Sequence, residues 1–391
     1  MSPLLALGLL ALAAWICLFT LRGGFWRSGP EDELQPGPPA PADGWPDVTA
    51  VLPARDEADV VGEVVRSLLG QDYPGSFRLV LVDDQSSDGT AAAARAAAEA
   101  MGQGERLTVI AGAPPPAGWT GKLWAMAQGV ERAGEGAPEY LWLSDADIAY
   151  APDALSRLIA GATAEGLVLH SLMAKLHCAS LPERLLIPAF IFFFRMLYPF
   201  AWVNRPRSRV AAAAGGCMLV RAQALQAAGG IAAIRGALID DCALARRLKA
   251  EGPIRLALTE RARSIRPYAG FGAIRRMVAR SAYAQLRFSP WLLALTVAGM
   301  ALVYLVPPLL ALFAQGWTQL AGVGAWLLMT LAFQPTLAFY RISPLWGLAM
   351  PAIAGLYLLF TLDSAHQHRQ GRGGFWKGRA QAPMSADPKN P

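Results

Sequence analysis

Apolar and polar positions follow two different rhythms along this chain of 391 residues. Long uncharged runs lie towards its ends. Short apolar runs punctuated by polar turns fill its middle. Pro3 to Leu21 carries no charge and is long enough to cross a hydrocarbon core of about 30 Å. Phe288 to Tyr340 also lacks any charge, which leaves room for two spans, near 291–313 and 319–340. A third uncharged run extends from Ile342 to Leu362. Pro307, Pro308 and Pro335 kink such helices without forbidding them. Leu185 to Val203 is apolar too, but Arg195 interrupts it and Pro188 and Pro199 bend it. It reads as an interfacial helix or a groove wall rather than a span, with a buried core helix as the alternative.

The middle of the chain alternates strand and helix signals. Val48–Pro53, Arg78–Val82, Leu107–Ala111 and Tyr140–Leu143 are short apolar runs. Helical spacing separates them at Asp59–Leu69, Thr90–Met101 and Gly121–Arg132. This order predicts an α/β domain with a parallel sheet and helices on its faces. The expected layout is an anchor at 1–22, a linker at 23–46, an α/β domain at 47–288, spanning segments at 289–363 and a basic tail at 364–391.

Composition sharpens the membrane reading. The chain is 54% hydrophobic and only 16% charged, against roughly 25% charged in soluble proteins. The net charge of +6 is unevenly placed. Eleven Lys and Arg face two acids between Arg246 and Arg287, as expected of a surface held near anionic headgroups. No zinc spacing, recognition-helix pattern or RNP motif points to nucleic acid. The four cysteines form no CxxC pair, so a reducing compartment fits. Arg22 and Arg27 follow the first apolar run, which places the α/β domain in the cytoplasm. One span followed by three would leave the C-terminus outside. Yet Arg369, Arg372, Lys377, Arg379 and Lys389 favour the inside. RGGFWR at 22–27 and RGGFWK at 372–377 nearly repeat each other, each an interfacial anchor pattern. If both lie on one face, one C-terminal segment is re-entrant or does not span.

Ligands of parallel α/β sheets bind beyond the carboxyl ends of the strands. Three of the four expected strands end there in acids: Arg55-Asp56-Glu57, Asp83-Asp84-Gln85-Ser86-Ser87-Asp88, and Asp145-Ala146-Asp147. If the strand geometry persists, Asp145 and Asp147 point the same way. Two such carboxylates repel unless a cation joins them. Mg²⁺ or Mn²⁺ would accept their oxygens and keep positions for a diphosphate. Gly121-Lys122 is no P-loop, because Leu123 follows and Pro116 occupies the upstream glycine position. His170 and His177 flank an apolar strand and read as structural.

The order PARDE, VDDQSSDGT, GKLWAM and SDAD, over about residues 48 to 285, resembles the family 2 glycosyltransferases with the GT-A fold. The resemblance implies that Pro53, Arg55, Glu57, Asp84 and Asp88 hold the nucleotide of a UDP- or GDP-sugar donor. It implies that Lys122 approaches the donor phosphates and that Asp147 ligates the metal, with Asp145 nearer the donor ribose or sugar. Asp241, in the Asp240-Asp241 pair, takes the place of the family's general base; helix capping is the plainer reading of such a pair. Processive members carry QxxRW where this chain reads Met277-Val278-Ala279-Arg280-Ser281, which points to a single addition. Arg280 is left for the diphosphate or for the membrane surface. The stretches IDDCALARRLK and RRMVARSAYAQLRFSP are most like the hopene-associated branch, so a hopanoid lipid acceptor at the inner membrane is the expectation. A polyprenyl-phosphate sugar synthase, a processive synthase and a non-catalytic scaffold are the alternatives.

Overall fold

The computed structural model describes residues 2–27 and 41–371, together with a short backbone ladder pairing 375–376 with 379–380. Most of the expected linker and of the basic tail, including the side chains of the second RGGFW segment, lies outside the described residues. The chain forms two compact units. One comprises 31–176, 203–266 and 374–391, and the other 1–30, 177–202 and 267–373.

In chain order the elements begin with α1 (Pro3–Leu21), β1 (Val48–Ala54), α2 (Val61–Leu69), β2 (Phe77–Asp83) and α3 (Thr90–Ala100). There follow β3 (Leu107–Ala111), α4 (Gly121–Gly134), β4 (Tyr140–Ser144), β5 (Ile148–Tyr150), α5 (Ala154–Glu165) and β6 (Leu169–Lys175). Next come α6 (Leu181–Leu197), α7 (Phe200–Val203), β7 (Cys217–Arg221), α8 (Ala222–Ala227), α9 (Asp240–Glu251) and β8 (Ile254–Ser264). The chain continues through α10 (Gly270–Gln285), α11 (Pro290–Met300), α12 (Val306–Phe313), α13 (Gly316–Phe339) and α14 (Met350–Arg369).

The first unit is built on an eight-stranded sheet of order β3-β2-β1-β4-β7-β6-β8-β5. The expected parallel order holds from β3 to β4. Beyond it the sheet is mixed. β7 runs antiparallel to both β4 and β6, and β5 is antiparallel to β8. The cause is connectivity: after β6 the chain makes a long excursion through α6 and α7 and comes back between β4 and β6 from the opposite direction. All seven residues of β1 are buried, which is why this strand reads as a continuous apolar run. On α2, Val61, Val64, Val65, Leu68 and Leu69 form one buried stripe at helical spacing. Trp142 is fully buried and its indole N–H meets Cys217 Sγ at 3.3 Å. Gly129 lets α4 lie close on the sheet. A Cβ there would fall 2.4 Å from Val51 Cγ1 and 2.9 Å from Val82 Cγ2.

The second unit is helical. Five of its segments are long and apolar enough to cross a membrane: Pro3–Leu21, Leu181–Val203, Pro290–Phe313, Gly316–Phe339 and Pro344–Arg369. The second of these follows β6 and precedes β7 in the chain. Small residues bring the helices together. A Cβ on Gly322 would lie 2.7 Å from the Ala311 nitrogen, so α12 and α13 pack backbone to backbone. Pro307 cannot donate to Val303. The Trp15 indole donates to that carbonyl instead, at 2.7 Å, across a π turn at 301–305. The segment after α1 is a clamp rather than a free interfacial anchor. Phe25 is buried, and the buried Arg195 donates to Phe25 O at 3.0 Å and Arg27 O at 2.7 Å.

The third C-terminal apolar run doubles back. Residues 344–349 return along α13, with hydrogen bonds from Gln334 to Pro344 O, Thr330 to Gly347 O and Trp326 to Leu348 O. Then α14 runs antiparallel to α11. Gly355 lies beside Leu305, Ser364 bonds Ala279 O and accepts from Tyr283 N, and His368 stacks on Phe288 at 4.3 Å. The last turn of α14 therefore ends where α11 begins.

Candidate active site

The loops after β1 and β2 brace each other. Asp56 N–H donates to Ser86 Oγ at 3.0 Å, and Asp56 Oδ1 accepts from Ser87 N–H at 2.9 Å. Asp88 accepts from the backbone of Ala58 at 2.9 Å and of Thr90 at 3.0 Å. Two residues hold left-handed backbone, Asp56 at φ 48° and Gln85 at φ 56°, a conformation uncommon outside glycine. The five residues expected at the nucleotide differ in access. Pro53 and Asp84 are buried, Arg55 is largely covered, and Asp88 is exposed. Arg55 bonds Asp84 O and lies 3.6 Å from its carboxylate. Glu57 is buried and ion-paired to Arg266, which also faces Asp59 at 3.6 Å.

At the ends of β4 and α4, acids gather around one lysine. Lys122 sits in the first turn of α4, whose N-cap is Thr120. Its ammonium lies 2.8 Å from Asp145 Oδ1 and 3.1 Å from Asp240 Oδ2. Burial alone would lower the lysine's pKa, but the carboxylates of Asp145 and Asp240 raise it, so it stays charged. The strand geometry does not persist through the acids: β4 ends at Ser144 and residues 146–147 form a turn. Asp145 consequently reaches Lys122, whereas Asp147 accepts from Ser264 Oγ at 3.0 Å. Burial first, then the Asp145 charge, raises the pKa of Asp147.

Asp240 and Asp241 open α9, whose N-cap is Ile239, so neither occupies the cap position. Asp241 Oδ2 accepts from Gly215 N–H at 3.1 Å and Oδ1 from Cys242 N–H at 2.7 Å. A small pocket beside them is floored by Leu123, Met126, Met218, Ile231 and Ile234. Burial in these apolar surroundings, and next the charge of Asp240, raise Asp241 to about 6.

Four carboxylates therefore face one ammonium. Among the described residues no three His, Cys, Asp or Glu side chains converge as a ready-made metal cage. The mutual repulsion of Asp145 and Asp147 suits Mg²⁺ or Mn²⁺, which usually take one or two protein carboxylates and complete their shells with phosphate and water. Arg280 belongs to the helical unit, where its side chain is exposed on α10. His170 is buried against Leu158 O, its pKa lowered to about 4 chiefly by burial. Two residues escaped the sequence reading. Ser264, the last residue of β8, and Arg266, two residues beyond it, meet Asp147 and Glu57; the alternating Ile254, Leu256, Leu258 pattern marks that strand, but its basic residues read as membrane surface.

A family model described as glycosyltransferase-like family 2 matches residues 46–284. The chain belongs to the family 2 glycosyltransferases. It is an enzyme of the glycosyl-transferring class, and its mixed α/β domain has the GT-A architecture. Among solved structures, a mannosyltransferase from Pyrobaculum calidifontis, in complex with GDP-Man and Mn²⁺, is 20% identical with a TM-score of 0.55. That match covers 94% of this chain and 99% of the other. A glucosyl-3-phosphoglycerate synthase from Mycobacterium tuberculosis is 21% identical, covering 60% of this glycosyltransferase and 78% of its own length, with a TM-score of 0.37. No curated protein sequence matches this chain significantly.

Proposed function

We propose that this glycosyltransferase moves one sugar from a UDP- or GDP-sugar to the hydroxyl of a membrane lipid, a hopanoid being the acceptor class favoured by sequence resemblance. The observation that carries the reading is the cluster of Asp145, Asp147, Asp240 and Asp241 around Lys122. It combines a cation for phosphate, a pair of acids for a metal and a carboxylate of elevated pKa.

The donor nucleotide is assigned to the braced turn of Pro53, Arg55, Glu57, Asp84 and Asp88, and its diphosphate to Lys122. Asp147 and Asp145 would hold Mg²⁺ or Mn²⁺, which offsets charge on a departing diphosphate. Lys122 then exchanges Asp145 and Asp240 for phosphate oxygens. Asp241 is oriented by the Gly215 and Cys242 amides and removes the acceptor's hydroxyl proton. The freed oxygen forms its bond to the anomeric carbon as the bond to the diphosphate breaks, a single displacement with inversion. A pKa near 6 keeps most of this base ionised at neutral pH while leaving it more basic than an ordinary carboxylate. Ser264 fixes Asp147, and Arg266 holds Glu57 in place.

The lipid acceptor and the cytoplasmic orientation draw support from the apolar helices and from Arg22 and Arg27 after α1. Incubating the purified protein in lipid with labelled nucleotide sugars and either metal tests the reading. Label in a hopanoid fraction supports it; label confined to polyprenyl phosphate or diacylglycerol lipids overturns the acceptor.

A further inference from the structure

Charge in the helical unit is sorted by end. From Pro267 to Gly371 the only acid is Asp363, against arginines 275, 276, 280, 287, 341 and 369. The fold gathers these six. α10 carries three, Arg287 precedes α11, and α13 runs antiparallel to α12, with Gly322 against Ala311. Arg341, just after α13, therefore returns towards the start of α11. The doubled-back course of α14 brings Arg369 there as well, beside Phe288 through His368. The opposite end, around Phe313 and Trp317, is uncharged, and these two aromatics are 80% and 77% exposed.

α10 is amphipathic. Ile274, Val278, Ala279 and Tyr283 are buried, while Arg275, Arg276 and Arg280 are exposed. Arg275 is paired with Asp363 at 3.7 Å. Arg276 and Arg280 stand one helical turn apart and share a face. Phe288 is partly exposed, and Trp291, in the first turn of the spanning segment, is 85% exposed. Aromatic side chains at that point sit at headgroup depth. α10 is held beside the last turns of α14 by the Arg275–Asp363 pair and the Ser364–Ala279 O bond, which keeps its arginines near the end of the bundle that carries Trp291.

We infer that the outer face of α10, with Arg276 and Arg280 at its centre and Arg287 at its edge, is a binding surface for the phosphates of anionic phospholipids. Guanidinium groups bind phosphate in bidentate fashion. Asp363, the one acid between Pro267 and Gly371, is paired with Arg275, and the burial of the apolar face in the bundle leaves the basic face turned outward. This surface also fits the positive-inside rule, since every arginine of this stretch lies at the end where α14 finishes. The inference rests on the helical unit's residence in the membrane and not on the donor chemistry.

The test uses the full chain in neutral detergent micelles, titrated with fluorescent phosphatidylglycerol and, separately, phosphatidylcholine. Phosphatidylglycerol binds more tightly, and the preference shrinks with added salt. Arg276→Gln and Arg280→Gln each weaken phosphatidylglycerol binding about fivefold, as expected for one basic residue near a charged surface. Arg276→Lys retains most of the binding, and phosphatidylcholine is indifferent to all three. Equal binding of the two lipids, or unchanged phosphatidylglycerol binding by the Gln variants, overturns the proposal. So does displacement of the lipid by millimolar inorganic phosphate, which would mark a site for free phosphate. A raised KM for the sugar donor with lipid binding intact would assign the arginines to the diphosphate instead. Should either variant elute as aggregate, Arg287→Gln, outside the helix, serves the same comparison.

Discussion

Replacing Lys122 by methionine removes the one cation of the acidic cluster at little cost in volume, and its effect on the acid limb of the pH profile can be worked out. The Lys122 ammonium and Asp241 Oδ2 both lie within 3.6 Å of one point beside Gly215, so they are separated by no more than about 7 Å. At that distance, with an effective dielectric of about 20, their attraction is worth about 2 kcal/mol, or about 1.5 pH units. Burial and Asp240 raise Asp241 to about 6, and the lysine charge restrains it. Without the lysine the base titrates higher. A carboxylate base works only when ionised, so activity is lost as pH falls through its pKa. The wild-type limb is expected near pH 6, and that of Lys122→Met about 1.5 units higher. The assay is the initial rate of sugar transfer at saturating donor, from about pH 5 to about pH 9. Lys122→Arg, which restores the charge, brings the limb back down. A limb that stays in place in Lys122→Met, or one that moves to lower pH, would refute the electrostatic coupling.

Other outcomes follow from the same geometry. Ser264→Ala removes the hydroxyl that donates to Asp147 and weakens Mn²⁺ binding at least about tenfold, measured by paramagnetic resonance of free Mn²⁺; unchanged affinity would exclude the metal role of Asp147. Gly129→Leu forces α4 off Val51 and Val82 and lowers stability by about 1–3 kcal/mol, read as a fall in thermal midpoint that donor no longer reverses. Arg195→Met leaves the Phe25 and Arg27 carbonyls without their guanidinium donor and costs about 3–5 kcal/mol; a thermal midpoint equal to wild type would show that the clamp after α1 is dispensable.

The strands and helices of the first half were legible because each carries an unmixed signal. Leu107–Ala111 is apolar and bounded by turns, and Val61 to Leu69 keeps strict helical spacing. The mixed half of the sheet was not, since the direction of β7 depends on where the excursion through α6 returns, which no local pattern records. Lys122, Asp240 and Asp241 were found through motif order, whereas their convergence is a tertiary fact. Arg266 illustrates the opposite difficulty. Its charge was visible, but in a run of eleven basic residues nothing marked it as the partner of a buried glutamate 209 positions earlier. The third apolar run shows a similar limit. Hydropathy counts its residues but cannot tell a crossing from a segment that doubles back, a distinction made here by Gln334, Thr330 and Trp326 bonding to residues 344–348.

The most direct test of the central claim compares wild type with Asp241→Asn in lipid, following label from a nucleotide sugar into the lipid phase while donor binding is measured separately. A general base contributes about 10²–10⁴ in rate. The expected result is a loss of transfer of that size, with donor affinity within about threefold of wild type. Transfer by Asp241→Asn at the wild-type rate would contradict the account.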